Sequence, residues 1–233
     1  AQLGTDCLII SVCLGPTSDP KQTEIIKQSV PSWAVPFAKP PQAPVSARAP
    51  SDLGGDKVLP GGAPLGAETA KRMGTAVHQL LEVLPNAPQD QWGKIAGRLI
   101  EADVRAPACQ EARAVLKKPD LAHIFAPESL AEVDVTAHLP ELNGDPIQGS
   151  IDRLLVSPTR VLAVDFKTNQ IVPSEAEQVP SGLLRQMGAY AAALSQIYPD
   201  HDIETAILWT KTLELMPLPN DLVISSLANT PLT

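Results

Sequence analysis

Cysteine, aromatic residues and positive charge are all scarce in this sequence. The three cysteines, Cys7, Cys13 and Cys109, form no C-x-x-C pair. Their odd number, with no signal sequence ahead of them, fits a reducing cytosol and a cytoplasmic location. Aromatics make up 3% of the chain, which excludes an aromatic platform for stacking single strands. The net charge of −8 excludes a broad basic surface for coating duplex DNA. It leaves open an enzyme that grips phosphate through metal ions and a few basic side chains. No apolar run has the length of a membrane span, and Cys7–Gly15, CLIISVCLG, is too short for one and reads as a buried segment. No G-x-x-x-x-G-K-[ST] occurs, so the chain carries no visible motor.

Proline is abundant, 24 in 233 residues, about twice the usual share. Pro31–Pro50, PSWAVPFAKPPQAPVSARAP, reads as an extended linker, with simple disorder an equal reading for Gln42–Pro50. A 44% hydrophobic content is enough for a core. The expected organisation is an N-terminal segment and linker over 1–50, then one domain over 51–233. The chain begins with Ala and reads as a piece of something longer.

Beyond a loop at Pro60-Gly61-Gly62, Glu68–Leu84 reads as a helix with an apolar stripe of Met73, Val77, Leu80, Leu81 and Leu84. His78 and Glu82, four apart, share a neighbouring face. Pro88–Val104 and Pro107–Lys118 read as two more helices, with Trp92 in the core, and Pro119–Phe125 as a helical turn. Leu130–Leu139 reads as a strand, and Asn143-Gly144 as a turn into a hairpin. Ser181–Ile197 reads as a helix with Ser181 at its N-cap, and Gln186 and Tyr190 face the same way along it. Ile203–Thr210 and Thr212–Met216 read as strands, and Asn220–Leu227 as a closing helix.

The chemistry concentrates in the hairpin. Its strands are Gly149–Val156 and Val161–Thr168, separated by Ser-Pro-Thr-Arg. With that loop, Val156 pairs with Val161, and Asp152 falls opposite Asp165. Directly opposed residues have Cβ atoms about 4.5–5.5 Å apart. Carboxylates so close repel unless they share a proton or a cation. A hard divalent ion such as Mg²⁺ suits carboxylate oxygen. Lys167 projects from the same face as Asp165, within reach of a scissile phosphate or a nucleophilic water. Asp165 also follows an apolar run, Val161–Val164, where an unpaired charge is costly. Glu132, on the preceding strand, is open to either a structural role or a metal-binding one, directly or through water.

GSIDRLL followed by AVDFKTN resembles the PD-(D/E)xK motif of RecB-family nucleases. GTAVHQLLEVLP resembles that family's His motif, and QMGAYAAAL its Q-x-x-x-Y motif. PSDLGG together with GTAVHQLLEVLP is similar above all to the C-terminal nuclease domains of the AddA helicase–nucleases. The likeness runs roughly from Pro50 to Asn220. It implies an α/β, restriction-endonuclease-like mixed β-sheet core flanked by α-helices. It also implies a metal-dependent DNA exonuclease of double-strand-break repair and recombination. His78, Asp152, Asp165 and the Phe166 carbonyl would hold Mg²⁺ or Mn²⁺, with Glu132 as a further candidate. Lys167, Gln186 and Tyr190 would complete the catalytic set. The implied partners are DNA, delivered as a single strand by helicase domains of the same full-length chain, and an AddB-like subunit; no membrane is implied.

Two alternatives stand beside this reading. A catalytically silent, nuclease-like docking domain for DNA or a partner has no chemical need to keep Asp152, Asp165 and Lys167 together. A free-standing RecB-like nuclease would in many cases carry an iron–sulfur cluster. Four cysteines are needed for that, so no such cluster is expected.

Overall fold

A computed structural model describes residues 46–59 and 66–231. The expected buried segment at Cys7–Gly15, the proline-rich stretch up to residue 45 and the Pro60-Gly61-Gly62 loop lie outside the described residues.

Five strands form one sheet in the order β1 (Leu130–His138), β2 (Pro146–Val156), β3 (Arg160–Lys167), β4 (Asp202–Trp209) and β5 (Glu214–Leu218). Every neighbouring pair is antiparallel except β3 and β4, which run parallel. A parallel pair needs a crossover, and helix α4 (Ser181–Ile197) provides it. Strand β3 shows why the sheet is covered on both sides. Val161 and Ala163 enter one apolar cluster, while Leu162, Val164 and Phe166 enter another, as the two-residue period of a strand requires. Helices α1 (Ala67–Val83), α2 (Trp92–Leu99) and α3 (Ala102–Lys117) cover the Phe166 side. Helices α4 and α5 (Asn220–Ala228) cover the other. This is the mixed sheet flanked by helices that the sequence leads one to expect. No helix among the described residues is long and apolar enough to cross a membrane.

All five residues of the expected stripe are buried, Met73, Val77, Leu80 and Leu81 within α1 and Leu84 just past its end. Trp92 is buried as well, donating its indole N–H to the Ala87 carbonyl at 2.9 Å. Helix α3 departs from expectation by starting at Ala102 and carrying Pro107 inside it. Proline there forfeits one backbone bond. The true break is at Ile100 and Glu101, both extended, and the Ile100 carbonyl is held by the Arg105 guanidinium at 2.9 and 2.7 Å. Ser181 is the first residue of α4, and Pro180 takes the N-cap position. The Pro180 carbonyl accepts from both Leu183 and Leu184.

Two irregularities shape the sheet. The β2–β3 ladder begins at Val156–Val161, as the four-residue loop dictates, and ends at Arg153–Val164. Beyond that point β3 leaves β2, and Arg48 takes the vacated edge. Arg48 N–H donates to the Pro146 carbonyl, and Gln148 N–H donates to the Arg48 carbonyl. The last residues of the expected linker are thus paired with β2. The second irregularity is Glu132, whose φ is +47°. Its neighbours pair Ala131 with Arg153 and Val133 with Ile151, so Glu132 lies across from Asp152. Ile151 and Leu154, three apart, enter the same apolar cluster, so the alternation of faces resets at this step. A left-handed non-glycine residue costs of order 1–3 kcal/mol and clusters at functional sites.

Candidate metal centre and active site

The opening of the β2–β3 ladder lets groups from both faces of the sheet converge. The Phe166 N–H, freed from the ladder, donates to Asp152 Oδ2 at 2.5 Å. From the α1 side, His78 reaches the same two residues. Its Nδ1 lies 3.1 Å from Asp152 Oδ1, and its Nε2 lies 3.0 Å from the Phe166 carbonyl oxygen. Both partners are acceptors, so only the imidazolium satisfies both at once. Burial pushes the His78 pKa down, but the hydrogen bond and charge of Asp152 outweigh it, and the net shift is upward. The His78 ring also meets Phe166 edge-on.

From the α4 side, Gln186 Nε2 donates to Asp165 Oδ1 at 2.7 Å. Lys167 Nζ pairs with Asp165 Oδ2. Asp165 is 3% exposed. Burial raises its pKa, Lys167 opposes the rise, and Asp152 adds to it. Tyr190 donates its hydroxyl to the Ser150 carbonyl at 2.6 Å. Burial, with the charge of Asp165, lifts the phenol well above its ordinary pKa, so it remains a neutral donor. Ser150 Oγ in turn donates to Glu132 Oε2 at 3.2 Å. Burial and the nearby Asp152 raise the pKa of Glu132.

Of the residues expected at the site, His78, Glu132, Asp152, Asp165, Lys167, Gln186 and Tyr190 line one cavity of about 530 Å³, and the Phe166 carbonyl is joined to it through His78. Within it, His78, Glu132 and Asp152 bring one ligand atom apiece within 4.8 Å of the others. Asp165 is not one of that trio and is engaged by Lys167 and Gln186. The donor chemistry fits a hard divalent ion: carboxylates, one imidazole and a backbone carbonyl suit Mg²⁺ or Mn²⁺. Among the described residues, the cations paired directly with these carboxylates are His78, on Asp152, and Lys167, on Asp165. Gly74 of α1 faces the Thr168 side chain, whose Oγ1 would lie 3.3 Å from a Cβ at that position. Gly149 is where close approach matters, because a Cβ there would fall 2.7 Å from Pro50 Cδ. Pro50 and Ser51 thereby close one side of the cavity.

Some lining residues were not singled out in sequence. Thr75 and Gln79 are polar positions on α1 beside His78, and their helical spacing from His78 is the only signal they carry. Arg153, outside the cavity lining, is 2% exposed in a stretch, Ile151–Val156, that is apolar but for Arg153 and its neighbour Asp152. An arginine in such a strand is a signal in itself, since a buried charge needs partners.

A solved structure of a candidate exonuclease from Eubacterium rectale is 12% identical, covers 66% of this chain and 62% of its own, and superposes with a TM-score of 0.45. The chain thus spans under two thirds of that protein. The structure of SSO0001 is 13% identical, with coverages of 71% and 86% and a TM-score of 0.30. No curated protein matches the sequence. The family model described as the PD-(D/E)XK nuclease superfamily matches residues 56–214, a span that includes His78, Asp152, Asp165, Lys167, Gln186 and Tyr190. With more than half of its length matched, the chain belongs to the PD-(D/E)XK nuclease superfamily.

Proposed function

We propose that this chain is the metal-dependent exonuclease domain of an AddA-type helicase–nuclease, hydrolysing DNA during double-strand-break repair and recombination in the cytoplasm. The observation that carries the nuclease chemistry is the convergence of His78, Glu132, Asp152, Asp165 and Lys167 on one cavity. The AddA assignment rests on the resemblance of PSDLGG and GTAVHQLLEVLP. These stretches, separated by residues 56–73, both border that cavity through Pro50, Ser51 and His78. The substrate is DNA, delivered as a single strand by helicase domains of a longer chain, and the expected partner is an AddB-like subunit.

His78, Asp152, the Phe166 carbonyl and Glu132 would hold Mg²⁺ or Mn²⁺, with Asp165 joining when it exchanges its Lys167 partner. A divalent ion there supplies an activated water and a counter-charge for the phosphate. Lys167 then presents a positive charge to the phosphate oxygens, where negative charge builds in the transition state. Gln186 fixes the rotamer of Asp165, and Tyr190 holds the Ser150 backbone beside Glu132. The test is digestion of end-labelled single-stranded DNA in Mg²⁺ and Mn²⁺, with Asp165→Ala as control. Progressive loss of the label from an end, abolished by Asp165→Ala and by chelation, supports the reading. DNA binding without cleavage under every metal condition would leave a docking domain instead.

A further inference from the structure

Arg153 has no place in the chemistry above, yet among the described residues it is the most deeply buried cation near the site. Its Nη2 donates to the Leu81 carbonyl at 2.6 Å and, more weakly, to the Glu82 carbonyl at 3.4 Å. These are carbonyls of the last turn of α1, whose acceptors lack helical partners. Its Nη1 faces Ser129 Oγ at 3.4 Å. The guanidinium lies over the Phe125 ring, 5.2 Å from the centroid. Phe125 packs on Phe166 with centroids 5.9 Å apart, and Phe166 meets His78 at 5.6 Å. No carboxylate pairs with Arg153 among the described residues, so its charge is balanced only at longer range by Glu132, Glu82 and Asp152.

We propose that Arg153 is a positioning residue for the metal centre. By clamping the end of α1 and packing through Phe125 onto Phe166, it fixes His78 against Asp152 and the Phe166 carbonyl. The proposal rests on the reading of these three as metal ligands. It opposes the simplest electrostatic expectation. A buried cation beside a metal site repels the metal, so removing its charge alone would tighten binding. Removing a support for the ligand set would weaken it, as loss of outer partners of a metal site does by roughly 10- to 100-fold.

The test is Mn²⁺ titration calorimetry on the whole chain with Arg153→Met, Arg153→Lys, His78→Ala and the double variant Arg153→Met/His78→Ala. The expected result is roughly 10- to 100-fold weaker binding for Arg153→Met. Arg153→Lys, which keeps the charge but cannot span Leu81, Ser129 and the Phe125 ring, is also weakened. The double variant binds like His78→Ala alone, because a support for an absent ligand has nothing left to support. Wild-type or tighter binding by Arg153→Met overturns the proposal, as does a full additive loss in the double variant. If Arg153→Met does not fold, Arg153→Lys alone and with His78→Ala gives the same two readouts. A metal-free readout separates this proposal from the metal reading. The His78 Nε2 proton, held by the Phe166 carbonyl, gives a protected NMR signal that Arg153→Lys or Arg153→Met loses to solvent exchange. Persistence of that signal refutes the positioning role, whether or not the wild type binds Mn²⁺.

Discussion

Replacing Lys167 by alanine separates catalysis from metal binding. The Lys167 ammonium, 19% exposed, pairs with Asp165 Oδ2, while Gln186 Nε2 holds Oδ1. Two effects follow from its removal. The first is loss of an electrostatic donor toward the scissile phosphate, worth roughly 10²–10³ in rate, or about 2.7–4 kcal/mol of transition-state stabilisation. The second acts on Asp165. Burial already raises its pKa, and Lys167 holds the rise in check; without the ammonium the pKa climbs further. Asp165 must be ionised to serve the metal, so the acid limb of the residual cleavage profile moves to higher pH. At pH about 8, metal affinity should survive, since the cation that competed for Asp165 is gone. Lys167→Met, which keeps the apolar stem, should match Lys167→Ala in rate. The assays are single-turnover digestion of a labelled single strand across pH, and metal calorimetry at high pH. Asp165→Ala is the contrast, losing metal affinity and cleavage together. Cleavage at the wild-type rate by Lys167→Ala would make the D-x-K strand a remnant. Loss of metal binding at every pH would make Lys167 structural.

The His78 shift predicts opposite pH slopes of stability with and without metal. Folding raises the His78 pKa, so the stability its imidazolium adds is complete below about pH 6.5 and is lost as pH climbs through the folded value. Asp165 acts in the same direction, because ionising it in a buried site costs stability above its unfolded pKa near 4. The metal-free chain should therefore melt at lower temperature as pH rises from about 6.5 to 8. Saturating Mn²⁺, which needs deprotonated ligands, should reverse the slope; equal slopes in thermal melts would contradict this. Tyr190→Phe should cost about 1–3 kcal/mol in denaturant melts by leaving the Ser150 carbonyl unpaired, with metal affinity kept. Gly149→Ala places a methyl 2.7 Å from Pro50 Cδ and should cost about 1–3 kcal/mol. It should also expose residues 46–59 to limited proteolysis; unchanged protection would show that this arm tolerates displacement.

What the sequence reveals and what it hides divide at the point where β3 leaves β2. The hairpin register is legible because a four-residue loop leaves one pairing of the flanking valines, Val156 with Val161. Helix α4 has the expected bounds, Ser181–Ile197, because the apolar period marks them, although its N-cap is Pro180 and not Ser181. By the same arithmetic Asp152 faces Asp165, and the arithmetic continues one step past the ladder's last pair. Nothing local tells the strand to part there. The parting depends on partners distant in sequence: Arg48 on the vacated edge, His78 on the Phe166 carbonyl, and Glu132 in a backbone conformation its side chain does not favour. These are long-range compensations, invisible to periodicity. They also explain why the acids do not simply form a cross-strand pair. An intact ladder would commit the backbone of Phe166 to β2 and hold the carboxylates at one fixed spacing. With the ladder open, the Phe166 N–H orients Asp152 while its carbonyl turns to His78, so one residue's backbone both fixes a ligand and offers one. The cost of Glu132's positive φ, of order 1–3 kcal/mol, falls at the same step. A glycine at that position would relieve the strain and remove the carboxylate with it.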